Sequence, residues 1–113
     1  MDLKTLVASI LAEVITADVP TIHALAQLAA DELKLRREIT PIEIEETLRE
    51  LIREGLAAEY EETSLDLSRK VKKYIATDKT LSQAKALPPN TQKVAKLKYV
   101  PPTFYILLDN KKR

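Results

Sequence analysis

Lysine and arginine side chains clustered in the second half of the chain are the residues whose type and spacing point most directly to chemistry. Residues 69–98 contain nine Lys and Arg and a single acid, Asp78. Tyr74 lies within this run, and Tyr99 directly follows it. Phosphate contacts need positive charge and no base-specific geometry. We therefore predict a nucleic-acid contact by Arg69, Lys70, Lys72, Lys73, Lys96 and Lys98, supplemented by Arg36, Arg37, Arg49 and Arg53.

The charge is distributed unevenly along the chain. Residues 1–62 hold six Lys/Arg and fourteen Asp/Glu, a net charge of −8, whereas residues 63–113 hold twelve Lys/Arg and three Asp/Glu, a net charge of +9. Such polarity indicates an acidic body and a basic appendage. Two alternatives stay open: the lysines form an ordinary solvated surface, or the basic segment folds against the acidic body.

The sequence contains few of the residues that catalytic and metal-binding sites require. The chain has no cysteine, one histidine (His23) and one glycine (Gly55). A thiolate metal site, a disulfide framework and a glycine-rich phosphate loop are therefore excluded, and the serines lack a suitable base nearby. We predict that the protein is not an enzyme and uses no cofactor or metal.

Three helices are expected to position these residues. Leu3, Leu6, Val7, Ile10, Leu11, Val14 and Ile15 fall at helical spacing, which predicts a first helix after an N-cap at Asp2. Asp18–Pro20 interrupts the pattern, and residues 21–33 predict a second helix with a buried side formed by Ile22, Leu25, Leu28, Ala29 and Leu33. We read the N-terminal run as this first helix and not as a targeting segment, since Glu13 interrupts it.

The third helix has the clearest boundaries. Thr40, Pro41 and Glu43 read as an N-cap, a proline at the first helical position and a capping-box glutamate. Its core stripe comprises Ile44, Leu48, Leu51 and Ile52. Gly55 stands where a left-handed helix end belongs, so we predict a positive φ there.

Shorter patterns predict the structure of the remaining segments. Alternation predicts strands at 56–62 and 103–109, which could pair antiparallel, and a weaker strand at 94–100. Between them, Ser64 could cap a helix with an apolar side of Leu67, Val71, Tyr74 and Ile75, and residues 80–87 could form a short helix. The whole chain, 1–113, is expected to be one domain.

This order of elements resembles a winged-helix domain. The stretch VPTIHALAQLA is similar to the entry and first helix of that family's helix-turn-helix. The stretch TPIEIEETLRELIREGLAAEYE is similar to the second helix, followed by a Gly-Leu step into a wing strand. The resemblance implies an α+β, mainly helical fold: three helices with a two- or three-stranded antiparallel wing. Residues 63–101 would then be a basic insertion between the wing strands, far longer than an ordinary wing loop.

The resemblance implies DNA binding or transcription regulation, with the third helix against duplex DNA. That helix, however, begins with Glu43, Glu45 and Glu46 and has no cation before Arg49, and glutamate opposes phosphate contact. We therefore predict nucleic-acid binding through the basic insertion. The alternative is a protein-interaction module that docks through the acidic third helix and binds no DNA.

Further expectations concern setting and assembly. No run of about 18 apolar residues exists, so no membrane span is predicted, and the lack of cysteine favours an intracellular, cytoplasmic protein. The first helix is apolar enough to serve a homodimer, although core packing would produce the same pattern. One glycine, no cysteine and abundant Glu, Lys and Arg fit a thermophilic source.

Overall fold

A computed structural model of the protein describes residues 2–98, which form five helices and three strands. In chain order these are α1 (Leu3–Val14), β1 (Thr16–Ala17), α2 (Val19–Glu32), α3 (Pro41–Arg53), β2 (Ala57–Thr63), β3 (Lys70–Ala76), α4 (Asp78–Gln83) and α5 (Pro89–Lys98). The described part of the chain is therefore α+β and mainly helical, as the sequence predicts.

The first three helices enclose the core. The predicted apolar stripes of α1 and α3 are confirmed: Leu6, Ile10 and Leu11 are buried on α1, and Leu48 and Leu51 are fully buried on α3. On α2 the buried side is Ile22, Leu25, Ala26, Ala29 and Ala30. Small alanine side chains let α2 approach its neighbours closely, and burial of the larger side chains contributes about 1.5–3 kcal/mol each.

Two apolar residues depart from the predicted stripes because each lies just beyond the end of its helix. Ile15 follows α1 at a positive φ of 69°, and its side chain is exposed. Leu33 follows α2 and is exposed as well. The helical period assigns a face only while the backbone continues to turn, so these two predictions of burial are wrong.

Side-chain caps begin each of these helices. Asp2, Asp18 and Thr40 each accept a hydrogen bond from a backbone N–H three residues later, which satisfies a donor that the helix leaves free. The reciprocal half of the predicted capping box on α3 is absent, because the Glu43 carboxylate instead accepts from Arg37 at 2.6 Å.

The end of α3 forms as predicted. Gly55 has a φ of 74°, and Leu56 N–H donates to the Leu51 carbonyl at 2.8 Å. Side chains at the start of α4 complete this turn: the hydroxyl of its N-cap, Thr77, donates to the Gly55 carbonyl at 2.7 Å, and the Thr80 hydroxyl donates to the Leu56 carbonyl. These two bonds hold the start of α4 on the turn that follows α3.

The strands form one antiparallel sheet in the order β1–β3–β2. β2 and β3 make a hairpin in which Ala57 lies opposite Ala76 and Thr63 lies opposite Lys70, and β1 adds Thr16 opposite Ile75 on the other side of β3. At the hairpin base Ala57 and Tyr74 are buried. The far end extends beyond the core, so its side chains are largely exposed.

The segment after β2 corrects the sequence analysis. Residues 70–76 are a strand and not the predicted helix, and residues 64–69 alone connect β2 to its partner. The predicted long insertion between the two paired strands is therefore wrong for the described residues. The spacing of Val71, Tyr74 and Ile75 fits a helix face, but the segment instead pairs with β2 along one side and with β1 at Tyr74 and Ile75 on the other, and these ladders satisfy the backbone groups that point towards them.

The two last helices also differ from expectation. α4 confirms a short helix near residue 80, whereas the strand predicted at 94–100 lies in α5 as far as Lys98. Glu32, at the end of α2, accepts hydrogen bonds from Asn90 N–H, Thr91 N–H and the Thr91 hydroxyl at 2.8–2.9 Å. This carboxylate caps the start of α5 and fixes it on α2. The strand predicted at 103–109 lies outside the described residues, as does Tyr99.

Candidate functional site

A groove between α3 and the hairpin is the concave surface nearest to the residues singled out from the sequence. On the α3 side it is lined by Glu45, Glu46, Arg49, Ile52 and Arg53, and on the opposite side by Val19, Glu59, Lys72 and Tyr74. We call this the α3–hairpin groove. It brings together three of the ten predicted nucleic-acid contacts, because β3 alternates its side chains and so directs Lys72 and Tyr74 towards α3.

The charges in the groove are balanced. Its three cations, Arg49, Arg53 and Lys72, face three carboxylates, those of Glu45, Glu46 and Glu59. Burial raises the pKa of Tyr74, and the nearby Glu59 and Glu45 raise it further. A surface of this kind suits a ligand that carries both signs of charge better than it suits a row of phosphates.

The hairpin neutralises the most basic stretch of the sequence. Lys72 Nζ lies 3.9 Å from Glu59 Oε2, and Lys73 Nζ lies 2.5 Å from Glu62 Oε2. The hydrogen bond that Lys73 donates to Glu62 raises the pKa of Lys73. Glu61 lies directly opposite Lys72 in the register, so β2 supplies acids on both faces of β3. The basic segment therefore folds against acidic residues, one of the two alternatives that the charge distribution left open.

The other predicted contacts are dispersed. Arg37 pairs with Glu43 at 2.6 Å, and Lys96 on α5 lies 3.8 Å from Glu13 on α1. Arg36 lies in the connection between α2 and α3, Arg69 and Lys70 lie at the far end of the hairpin, and Lys98 is the last residue of α5. The predicted phosphate contacts whose side chains the structure describes thus do not share one surface.

The exposed side of α3 is acidic near its start and carries one large apolar side chain. Ile42 is 66% exposed, and the neighbouring Glu45 and Glu46 are exposed. Among residues 2–98 neither glutamate forms an ion pair within 4.0 Å. The first two turns of α3 therefore present an apolar group beside two carboxylates that form no close ion pair.

The connection between β2 and β3 holds the apolar residues that the sequence analysis misplaced. We call residues 64–69 the hairpin tip. Leu65 is fully exposed and Leu67, predicted to be buried, is 81% exposed. Ser64, Asp66 and Ser68 form a hydrogen-bonded turn around them. The run SLDLS between two alternating segments is a turn signal that could have identified this loop.

His23 has a structural role. Its Nε2 donates to the Ile39 carbonyl at 2.6 Å, and the Ile39 N–H donates to the Gln27 side chain at 2.8 Å. These bonds hold the buried Ile39, and hence the start of α3, on α2. Within the described range no group of three or more His, Asp and Glu residues is placed to hold a metal ion.

No helix between residues 2 and 98 is long and apolar enough to cross a membrane. No family model matches the sequence, no curated protein matches it, and no solved structure matches the fold.

Proposed function

We propose that the chain is a winged-helix protein-interaction module that docks a partner protein through the exposed acidic side of α3 and does not bind duplex DNA. The resemblance implies three helices followed by a two- or three-stranded antiparallel wing, and the proposal is supported by the order α1–β1–α2–α3–β2–β3 with its three-stranded antiparallel sheet. In that fold α3 is the helix that DNA-binding members present to the major groove. Because a fold alone does not assign a function, the proposal rests on the chemistry of the exposed side of α3.

The observation that carries the proposal is the exposed Ile42 beside the exposed Glu45 and Glu46. An apolar side chain within a polar rim is typical of a protein contact. The same three positions oppose a polyanion, because duplex DNA affinity comes largely from cations that release counterions. A partner with a small apolar pocket and a basic rim fits this face.

Duplex binding provides the first test. A labelled duplex is titrated with the full chain at low salt, and fluorescence anisotropy is followed over a salt series. We expect no salt-dependent binding by the wild type. Binding that weakens steeply with salt would overturn the proposal, since the slope of log K against log[salt] counts phosphate contacts.

A lysine-to-glutamate variant identifies the role of the hairpin cations. Replacing Lys70, Lys72 and Lys73 by Glu places acids opposite Glu61 and beside Glu59 and Glu62, so we expect a lower melting temperature. A variant that melts like the wild type but loses DNA binding would show that these lysines serve phosphate instead.

The protein contact itself is tested with a matched pair of variants. Ile42→Ser combined with Glu45→Lys and Glu46→Lys changes the proposed face, and Glu38→Lys changes an exposed acid outside α3. A candidate partner is a protein that binds the wild type and the control but does not bind the α3 variant. This protein is then purified for a direct binding measurement. Binding insensitive to the α3 variant contradicts the proposal.

Nucleic-acid binding is the second candidate function. The observation that favours it is the convergence of Arg49, Arg53 and Lys72 on the α3–hairpin groove, together with Arg69 and Lys70 exposed at the end of the hairpin. If this candidate is right, Glu45→Gln with Glu46→Gln strengthens duplex binding, and Arg49→Gln weakens it for all sequences alike.

A further inference from the structure

We propose that one face of the three-stranded sheet is the docking surface for residues 99–108 of the same chain. Lys72 and Tyr74 of β3 point towards α3, so alternate residues of the strands point the other way. We call this opposite side the outer sheet face. It is formed by Thr16, Ala58, Tyr60, Val71, Lys73 and Ile75. The inference goes beyond the α3 proposal, because it concerns the side of the sheet that α3 does not touch.

The outer sheet face is more apolar than a solvated sheet face normally is. In an antiparallel sheet with one face on the core, the other face usually carries polar side chains. On this sheet Ile75 is 36% exposed and Tyr60 is 37% exposed, and Ala58, which lies opposite Ile75, is exposed as well. Ile15, directly before β1, borders the face with 47% exposure. These side chains form a patch suited to contact with another apolar element.

The polar groups of the outer sheet face already have partners. Thr16 Oγ1 and Tyr60 Oη lie 2.6 Å apart, in a hydrogen bond that passes over β3. Lys73 Nζ lies 2.5 Å from Glu62 Oε2. Because burial of a polar group costs least when the group is hydrogen-bonded, an apolar segment can cover this face without stranding these groups.

The backbone at Ile15 holds its side chain at the border of the face against a conformational cost. Its φ is 69° and its ψ is −49°, a conformation that is strained for a β-branched residue. Hydrogen bonds fix it on both sides, since Ile15 N–H donates to the Leu11 carbonyl at 2.8 Å and Ala76 N–H donates to the Ile15 carbonyl at 2.9 Å. Contact between the Ile15 side chain and the segment would compensate for this strain.

The position of α5 brings the following residues to this side of the molecule. Lys96 Nζ lies 3.8 Å from Glu13 Oε1, so the last turn of α5 lies beside the last turn of α1. Ile15 and Thr16 follow Glu13 closely in the chain. Ten extended residues reach on the order of 30 Å, whereas β3 spans about 23 Å. Residues 99–108 are therefore long enough to extend from α5 across the outer sheet face.

The composition of residues 99–108 fits an element that packs on an apolar surface. The stretch YVPPTFYILL contains no charged residue. It holds Tyr99, Phe104 and Tyr105, three of the five aromatic residues of the chain, which has four tyrosines and one phenylalanine. In an extended segment Phe104, Ile106 and Leu108 fall on one side, which provides a row of large apolar groups for the sheet.

A short connection favours the same chain over a second copy. Residue 99 directly follows the end of α5, so the segment is present at the outer sheet face at an effective concentration in the millimolar range. A segment from another copy would compete at the much lower concentration of the free protein. It would also lose the translational and rotational freedom that a tethered segment has already lost.

NMR on the full chain tests this inference. Isoleucine methyl groups are labelled with ¹³C, and NOEs are sought from Ile15 and Ile75 to the ring protons of Phe104 and Tyr105. Ile42, which is 66% exposed on α3, is the matched control. A sample that mixes labelled and unlabelled copies separates contacts within one chain from contacts between copies.

We expect NOEs from Ile15 and Ile75 to the rings of the segment within one chain, and none from Ile42. The double variant Phe104→Ser with Ile106→Ser should shift the methyl signals of Ile15 and Ile75 but not that of Ile42. It should also lower the melting temperature by several degrees. Ile75→Ser should lower the melting temperature less in that variant than in the wild type, because the contact is already lost.

Three results would overturn the inference: no NOE between the segment and the outer sheet face, NOEs only between copies, or an equal effect of Ile75→Ser in both backgrounds. The first two are measured on the wild-type sequence, so they remain decisive if a variant does not fold. Changes to Ile42, Glu45 and Glu46 alter neither the segment nor the outer sheet face. Failure of the α3 proposal therefore leaves this inference standing, and its own failure leaves the α3 proposal standing.

Discussion

Leu48 and Leu51 on α3 and Leu65 and Leu67 at the hairpin tip are two closely spaced pairs of the same residue with opposite surroundings. The first pair is fully buried between helices, and the second is almost wholly in solvent. Helical spacing and a cap at Thr40 fix the first pair towards the core, whereas a turn of serines and Asp66 fixes the second pair away from it. The comparison separates leucines that are buried in the core from leucines that lie in solvent.

The largest expected effect would break the core pair. Leu48→Ala or Leu51→Ala should lower the free energy of unfolding by about 2–5 kcal/mol, because each leaves a cavity among packed helices. Leu65→Ala and Leu67→Ala are the matched controls and should stay within about 0.5 kcal/mol of the wild type. Chemical denaturation measures both. Equal losses for the two pairs would contradict the distinction between them.

The next effect concerns the turn that ends α3. Gly55 has a φ of 74°, and a Cβ there would meet no atom within 4 Å. Gly55→Val should therefore destabilise by more than about 1 kcal/mol through backbone strain alone. Gly55→Asn should cost less, since asparagine tolerates this conformation better. An unchanged denaturation midpoint for the valine variant would refute the assignment of strain.

Leu67→Gly sharpens the comparison from the opposite side. If the left-handed backbone at Leu67 is a cost that the fold does not recover, glycine should leave stability unchanged or raise it by as much as about 1 kcal/mol. Thermal unfolding gives the answer. A clear loss of stability would mean that the Leu67 side chain packs usefully in the free protein.

The smallest expected effect is a pH dependence of the tip. The pKa of Asp66 is lowered from an ordinary 3.8 to about 2 by hydrogen bonds from Ser64, then from Ser68. Because the pKa of Asp66 is lowered in the folded state, its ionised form contributes to the free energy of unfolding. This contribution is complete above about pH 4 and is lost as the pH falls towards 2. NMR titration of the Asp66 carboxyl should show the low pKa, and Ser64→Ala should move it upwards. A titration at the ordinary pKa of aspartate would contradict the hydrogen bonds to Asp66 that form this turn.

The sequence predicts the helical body well because its determinants are local. The cap at Thr40, the proline after it, the spacing of Ile44, Leu48 and Leu51, and the glycine at 55 all lie within one segment. Each indicates the same helix boundaries. Local agreement of this kind makes α3 the most predictable element of the protein.

The hairpin was mispredicted because its determinants are spread over two segments. The spacing of Val71, Tyr74 and Ile75 fits a helix as well as a strand. The strand is favoured by residues of another segment, because Glu59, Glu61 and Glu62 lie opposite or diagonal to the lysines of β3. α5 was misassigned for a similar reason, since its N-terminal cap is Glu32 of α2. Patterns within one segment do not reveal such partners.

The candidate site was predictable in part. The acidic start of α3 follows directly from the sequence, while the neutralisation of Lys72 and Lys73 depends on the register of the hairpin. The exposure of Leu65 and Leu67 depends on where the chain reverses. Burial is a property of the assembled chain, so residue type alone misplaced Leu67.

The position of β2 at the side of the sheet has a consequence for how copies of the protein behave when concentrated. Its outer backbone groups have no neighbouring strand among residues 2–98, and such an edge is a template for aggregation. Glu59, Glu61 and Glu62 line this strand, so two copies that approached edge to edge would repel each other. The glutamates that pair with the lysines of β3 thus also oppose edge-to-edge pairing of two copies, and acidification would remove both effects together.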